Sequence, residues 1–233
     1  QTAEKNGYAI RSVNPVVAEC NDASLNDIRH RAVGQTEVFA AIHSASADFE
    51  QGDVGAGKGM TCHDLKGGIG SSSRIIEIGN QRYTLGVLAL TNHGSLSDLT
   101  IGGKNIGADI ERQIREDTPD EGSCILILAT DLPVSSRQLG RILRRCSVGL
   151  ARLGSFIGHG SGEVFIGFST ANRVPEEADC FSLNCIHESH INTAFRAAAE
   201  ATEEAILQSM LRAKTVTGYS GKIRRSLSEF WQP

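Results

Sequence analysis

The chain has 233 residues, of which 40% are hydrophobic and 21% charged. That allows one large or two small globular domains with a sizeable core. A net charge of −4 without any basic stripe argues against a nucleic-acid partner, and no apolar run is long enough for a transmembrane helix. No signal peptide is legible, but the chain begins at Gln1, so the compartment stays open, with the cytoplasm favoured over the periplasm.

Aromatic residues make up only 5% of the chain, against 25 glycines, which suggests tight turns and close backbone packing rather than large aromatic pockets. The six cysteines, Cys20, Cys62, Cys124, Cys146, Cys180 and Cys185, are scattered. Cys124 and Cys146 fall in patterns that look buried, so they read as reduced core residues rather than a disulfide framework.

In chain order, residues Ile10 to Val17 read as a short strand and Asn21 to Ser24 as a turn or helix start. Thr36 reads as the N-cap of a helix with Val38, Phe39 and Ile42 on one face. Glycine dominates from Gly52 to Gly70. Arg74 to Ile78 and Arg82 to Leu90 read as strands joined by a hairpin at Gly79-Asn80. The polar stretch Gly102 to Gly122 lacks clear periodicity and reads as an exposed, mobile connection. A buried strand starts at Ser123. Ser135 or Ser136 caps a helix carrying Leu139, Ile142, Leu143, Cys146 and Leu150 inward and ending at Gly154. Its Arg141, Arg144 and Arg145 read as solvated surface. Glu163 to Ser169 is a further strand pattern. A long helix from about Asn192 to Lys214 places Phe195, Ala198, Ala199, Thr202, Ile206 and Met210 on one face.

Two motif matches fail on inspection. Gly52 to Gly59 approaches the phosphate-cradling pattern G-x-x-x-x-G-K-[ST], but Gly59 stands where the Mg²⁺-binding hydroxyl belongs. Cys180, Cys185, His187 and His190 have the wrong spacing for a common structural zinc site, so neither a metal nor a cofactor is expected. No serine has the G-x-S-x-G surroundings of an elbow-type hydrolase, and no histidine stands in a context that marks it as a catalytic base.

The stretch Asp120-Glu121-Gly122-Ser123-Cys124-Ile125-Leu126 is of another kind. An acidic polar segment ends at a glycine, and a serine then opens a core strand. Cleavage of Gly122–Ser123 would give Ser123 a free α-amine of pKa ~7.7–8.0, a general base that needs no histidine. The alternative is a serine that merely starts a strand. In Gly160-Ser161-Gly162-Glu163, a following strand would hold Ser161 and Glu163 on one face. A hydroxyl backed by a carboxylate can relay a proton from a neighbouring amine; a glycine-rich turn with a solvated glutamate is the plainer reading. Asn92 could donate to a developing oxyanion or simply end its strand.

Together these pieces resemble the DmpA-type L-aminopeptidase/D-esterase family, which includes the β-peptidyl aminopeptidases. The matching stretches are Pro15-Val16-Val17-Ala18-Glu19 with Leu25-Asn26-Asp27-Ile28, Gly52-Asp53-Val54-Gly55-Ala56-Gly57, and Lys66-Gly67-Gly68-Ile69-Gly70. Ser123 to Leu132, Gly160-Ser161-Gly162-Glu163, Phe168-Ser169-Thr170-Ala171-Asn172 and Ala201-Thr202-Glu203-Glu204-Ala205 continue them, so the resemblance covers essentially the whole chain.

The resemblance implies a four-layer α/β/β/α sandwich of the DmpA/ornithine-acetyltransferase type. It implies a single catalytic domain over 1–233 that cuts itself at Gly122–Ser123, with residues 1–122 ending the α chain and 123–233 forming the β chain. Ser123 would be the nucleophile, Asn92 part of the oxyanion hole, and Ser161 and Glu163 the groups that contact the new amine. Substrates would be short peptides, amides or esters with a free amino terminus, and the αβ units would assemble into a homo-oligomer. Family precursors extend further at the N-terminus, so part of the first sheet would be absent here. An aromatic residue expected between Val17 and Leu25 is absent too, and Asn21 and Ser24 are the nearest polar candidates for a second oxyanion donor. An oligoamide hydrolase or acyltransferase of the same fold, or an inactive shortened binding domain, are the alternatives.

Overall fold

The structure is a computed structural model that describes residues 15–114, 122–175 and 179–232, together with Gly7. Its main elements are α1 (Gln35–Ser44), β1 (Gly68–Ile78), β2 (Gln81–Asn92), α2 (Gly107–Ile114), β3 (Gly122–Thr130), α3 (Ser136–Leu143), α4 (Cys146–Arg152), β4 (Ser161–Ser169) and α5 (Ile191–Leu211). None of the helices among the described residues is long and apolar enough to cross a membrane.

The four strands form one sheet in the order β1-β2-β3-β4. β1 and β2 are antiparallel and joined by the two-residue turn Gly79-Asn80, with Gly79 at a φ of 60° that favours glycine. β2 and β3 are antiparallel, and β3 and β4 are parallel. A parallel pair needs a crossover, and α3 and α4 supply it. Leu85, Val87, Ala89, Leu126 and Leu128 point from the sheet into a core completed by Ile142, Leu150, Ala198, Ala205, Ile206 and Met210.

Small residues bring the α5 layer close to the sheet. An added Cβ at Gly70 would lie 1.8 Å from the Ala205 carbonyl oxygen and 2.6 Å from the Ser209 nitrogen. The expected inner face of α5 is right for Ala198, Ala199, Thr202, Ile206 and Met210, all buried. Phe195 is instead half-buried, under the guanidiniums of Arg141 and Arg145, whose Cζ atoms lie 5.3 and 4.0 Å from its ring centroid. These two arginines are thus engaged rather than merely solvated, and Arg141 also pairs with Glu188.

Several expectations need correction. Residues 15–17 are not in a strand, and 8–14 lie outside the described residues. α1 starts at Gln35 rather than after a Thr36 cap. The Gly34 N–H donates to the Glu37 carboxylate at 2.7 Å, and Val38 and Ile42 are exposed. The Gly102–Gly122 connection contains α2. There Ile106, Ile110 and Ile114 recur every four residues, and the Asn105 side chain accepts from the Ala108 N–H at 3.0 Å. Residues 115–121 of the expected mobile segment lie outside the description. The helix expected after Ser135 is two, α3 and α4, interrupted at Arg144-Arg145; its Ser135 cap, reinforced by Gln138, is present.

The sandwich's second sheet is not found among the described residues. One face of the sheet carries the helices. The other presents Leu88, Val164 and Phe168 at 38%, 48% and 50% exposure. At one end of this open face Cys20, Met60 and Ile125 pack together, because the chain from Pro15 onward runs across it. The four buried cysteines Cys20, Cys62, Cys124 and Cys146 are free thiols.

The near-match to a phosphate loop is a structural knot. Gly55–Gly59 is a short 3₁₀ turn, and Lys58 pairs with Asp53 at 3.2 Å. The loop is held from beneath by Lys66, which is fully buried. Its ammonium donates to the carbonyls of Gly57, Met60 and Gly67 at 2.8, 2.9 and 2.8 Å. All of its donors are therefore satisfied, as burial of a charge requires.

Three substitutions test this architecture. Gly70→Ala should cost roughly 3 kcal/mol by overpacking the α5 contact. Gly86→Ala, where an added Cβ meets nothing nearer than 3.9 Å, should change stability by less than about 0.5 kcal/mol. Lys66→Met should remove three charge-assisted bonds, leaving the Gly57 and Met60 carbonyls with their backbone donors, and cost on the order of 2 kcal/mol. The urea midpoint measures all three, with an unchanged slope as the check that the unfolding reaction is the same.

Candidate functional site

Register brings the sequence-predicted residues to one end of the sheet. Ser123 opposes Asn92 across the antiparallel β2/β3 pair and Gly162 across the parallel β3/β4 pair. Directly opposed residues share a face, so the Ser123 and Asn92 side chains lie on the open face, on the side of Ile125. Cys124 is paired with Glu163 and Gly122 with Ser161, which puts Ser161 and Glu163 on the helix-covered face. The backbone nitrogen of Ser123 lies in the sheet between the two sets.

In the uncut chain the Ser123 hydroxyl donates to the Gly122 carbonyl oxygen at 2.7 Å. The hydroxyl therefore already touches the amide whose cleavage would free its own amine. Gly122 belongs to the strand, its N–H bonded to the Gly160 carbonyl at 3.2 Å. A Cβ at residue 122 would stand 2.1 Å from the Asn92 carbonyl oxygen, so only glycine fits.

Asn92 is buried and its orientation is set by main chain at both ends. Its Oδ1 accepts from the Thr61 N–H at 2.9 Å, and its Nδ2 donates to the Asn21 carbonyl at 2.9 Å. An amide carries two N–H donors, so the Nδ2 end has one beyond the bond to Asn21. The Ser161 hydroxyl donates to Glu163 Oε1 at 2.5 Å. Glu163 Oε2 is buried and has no hydrogen-bond partner among the described residues. A carboxylate oxygen in that state is an acceptor for a cation delivered from nearby.

Sequence reasoning missed the groups that position these residues. Cys20 donates its thiol to the Ser123 carbonyl at 3.5 Å. Burial first, and Glu19 second, push that thiol up to about 11, so it stays protonated and does not compete as a nucleophile. Thr61 acts through its backbone, which no side-chain pattern reveals. Of the candidates for a second oxyanion donor, the Asn21 side chain is tied back to the Ala23 N–H at 3.0 Å, and Ser24 lies 3.3 Å from the Thr61 hydroxyl. Cys180, Cys185, His187 and His190 do not form a ligand cluster among the described residues. Beside Cys20 a groove of about 520 Å³ is lined by Glu19, Asp22, Asp27 and Arg31 among mostly apolar residues, three carboxylates against one guanidinium, so its charge is net negative.

The model of Peptidase family S58 matches residues 1–224. The β-peptidyl aminopeptidase BapA of Sphingosinicella xenopeptidilytica is 38% identical over 220 residues, 88% of this chain and 55% of that protein. A protein from Pyrococcus horikoshii of known structure superposes with a TM-score of 0.88 at 45% identity, covering 97% of this chain and 63% of the other. The L-aminopeptidase D-Ala-esterase/amidase of Ochrobactrum anthropi, described as a prototype serine aminopeptidase with a variant Ntn hydrolase fold, superposes with a TM-score of 0.81 at 34% identity. It shares 88% of this chain and 58% of its own. The chain thus spans between 55% and 63% of the length of these relatives. With a family match over nearly its whole length and a fold shared with these structures, this chain belongs to peptidase family S58, the DmpA-type aminopeptidases.

Proposed function

We propose that this chain carries the catalytic residues of a self-processing aminopeptidase whose nucleophile is Ser123. The observation that carries the reading is the placement of the Ser123 hydroxyl, 2.7 Å from the carbonyl oxygen of the bond to be cut, with Asn92 opposite it in register. Attack of Oγ on the Gly122 carbonyl carbon converts the amide to an ester. Water then hydrolyses the ester, leaving Gly122 with a carboxylate and Ser123 with an α-amine.

That amine is the base for turnover. It takes the Oγ proton as the hydroxyl attacks the acyl carbon of a substrate, then returns the proton to the leaving group, and water releases the acyl-enzyme. The Asn92 amide stabilises the tetrahedral oxyanion. Ser161 and Glu163 stand on the other side of the Ser123 nitrogen, and the carboxylate oxygen Oε2 receives the ammonium that each proton transfer creates. Substrates are short peptides, amides or esters, and the net negative charge of the groove beside Cys20 suits a free amino terminus.

In the full-length protein, Ser123→Ala should leave a single uncut chain by mass spectrometry and no measurable hydrolysis of an amino-acid amide. Two pieces, the second starting at residue 123, in that variant would overturn the assignment. Asn92→Ala should lower kcat by roughly 10²–10³-fold.

Glu163→Gln supplies a pH test. The carboxylate stabilises the protonated amine and so raises its pKa. Without that charge the amine is neutral from a lower pH, and the acidic limb of the kcat/KM profile should move down by ~1 pH unit. A limb that stays in place would show that Glu163 does not face the amine.

A further inference from the structure

Next to the Asn92–Ser123 pair lies a second cluster of reactive side chains. Cys62 and His63 sit on the small hairpin in which Thr61 pairs with Lys66 and Cys62 with Leu65, and His93 follows Asn92 at the end of β2. All three are buried. One donor atom from each, the Cys62 sulfur and one ring nitrogen of each histidine, lie within 4.8 Å of one another.

The histidine tautomers are informative. His63 Nδ1 is 2.9 Å from the Ser95 carbonyl oxygen. A carbonyl only accepts, so the proton is on Nδ1 and Nε2 carries the lone pair. This is the outer-shell arrangement that orients metal-ligating imidazoles. The two rings meet edge to face, with centroids 5.6 Å apart. Neither ring nitrogen of His93 has a hydrogen-bond partner among the described residues. In either tautomer a buried lone pair there is left unsatisfied, which native cores avoid. The cradle is fitted to the rings: a Cβ at Gly94 would lie 2.6 Å from the His63 ring.

The geometry points to a structural metal site in which the Cys62 sulfur, His63 Nε2 and one nitrogen of His93 hold a zinc ion. One thiolate and two imidazoles make a donor set that suits this borderline-soft cation. On binding, the Cys62 S–H bond breaks, a Zn–S bond forms and the proton leaves to solvent, with no change of oxidation state. The surroundings are closed, so the ion would enter as the chain folds and act as a brace. It would tie the Thr61 hairpin to the end of β2, and those two segments together hold Asn92. The site is independent of any role for Ser123.

The test is to produce the full-length protein in medium supplemented with Zn²⁺, and separately with Co²⁺. Metal content is then measured after desalting, along with the absorption spectrum and the melting temperature after refolding with either Zn²⁺ or a chelator. The expected result is stoichiometric zinc, a near-ultraviolet thiolate-to-cobalt charge-transfer band, and a lower melting temperature for protein refolded in chelator. His93→Phe keeps a ring in the slot but no donor, and should abolish stoichiometric zinc. Wild-type protein with only trace metal and the same melting temperature in both refolding conditions would overturn the site. So would bound cobalt without the thiolate band, or full zinc retention in His93→Phe. Should that variant not fold, the cobalt spectrum of the wild type still decides the question.

Discussion

The register between β2 and β3 is the constraint on which the site depends. Leu85 opposes Thr130 at one end of the ladder and Asn92 opposes Ser123 at the other. A slip of one residue would turn Ser123 to the helix-covered face and expose Cys124 and Leu126. The buried side chains of the two strands therefore hold the hydroxyl in place. The same ladder, continued in parallel to β4, sets Ser161 and Glu163 on the far side of the Ser123 nitrogen. On the proposed chemistry, strand alternation would place the nucleophile on one face and the proton-handling pair on the other, with the nitrogen between them.

Around this ladder, polar groups are fixed by backbone more than by one another. Lys66 gathers three carbonyls of the glycine-rich loop. That loop leads directly into Thr61, whose N–H orients Asn92. The buried ammonium is thus coupled to the amide side chain through main chain alone. The cost of desolvating a charge is met by hydrogen bonds that also give the loop a single conformation.

Much of this was legible in the sequence, and the gaps have physical causes. The β3 and α5 patterns are strong because each buries one side against a large core. The functional candidates Asn92, Ser123, Ser161 and Glu163 all fall at the same end of the sheet, because each stood at a strand terminus next to a glycine or an apolar run. α2 was overlooked because its signal is three isoleucines spaced by four among charged residues, stabilised by an Asn105 cap. The break at Arg144-Arg145 was invisible because the apolar spacing continues through it. Cys20 and Thr61 act through main-chain contacts between distant segments, Lys66 through carbonyls of the adjoining loop, and Cys62, His63 and His93 meet only once the hairpin folds against β2. Among the described residues the four-layer architecture implied by the resemblance is represented by one four-stranded sheet and one helical layer.

The crowding at Gly122 has a further consequence on the proposed chemistry. Its α-carbon lies against the carbonyl oxygen of Asn92, with no space even for a methyl group. Scission there would set a new carboxylate against the Asn92 carbonyl oxygen and beside the amine freed on Ser123. A side chain has no room at that position, so on the proposed chemistry the bond presented to the hydroxyl is always one preceded by bare backbone.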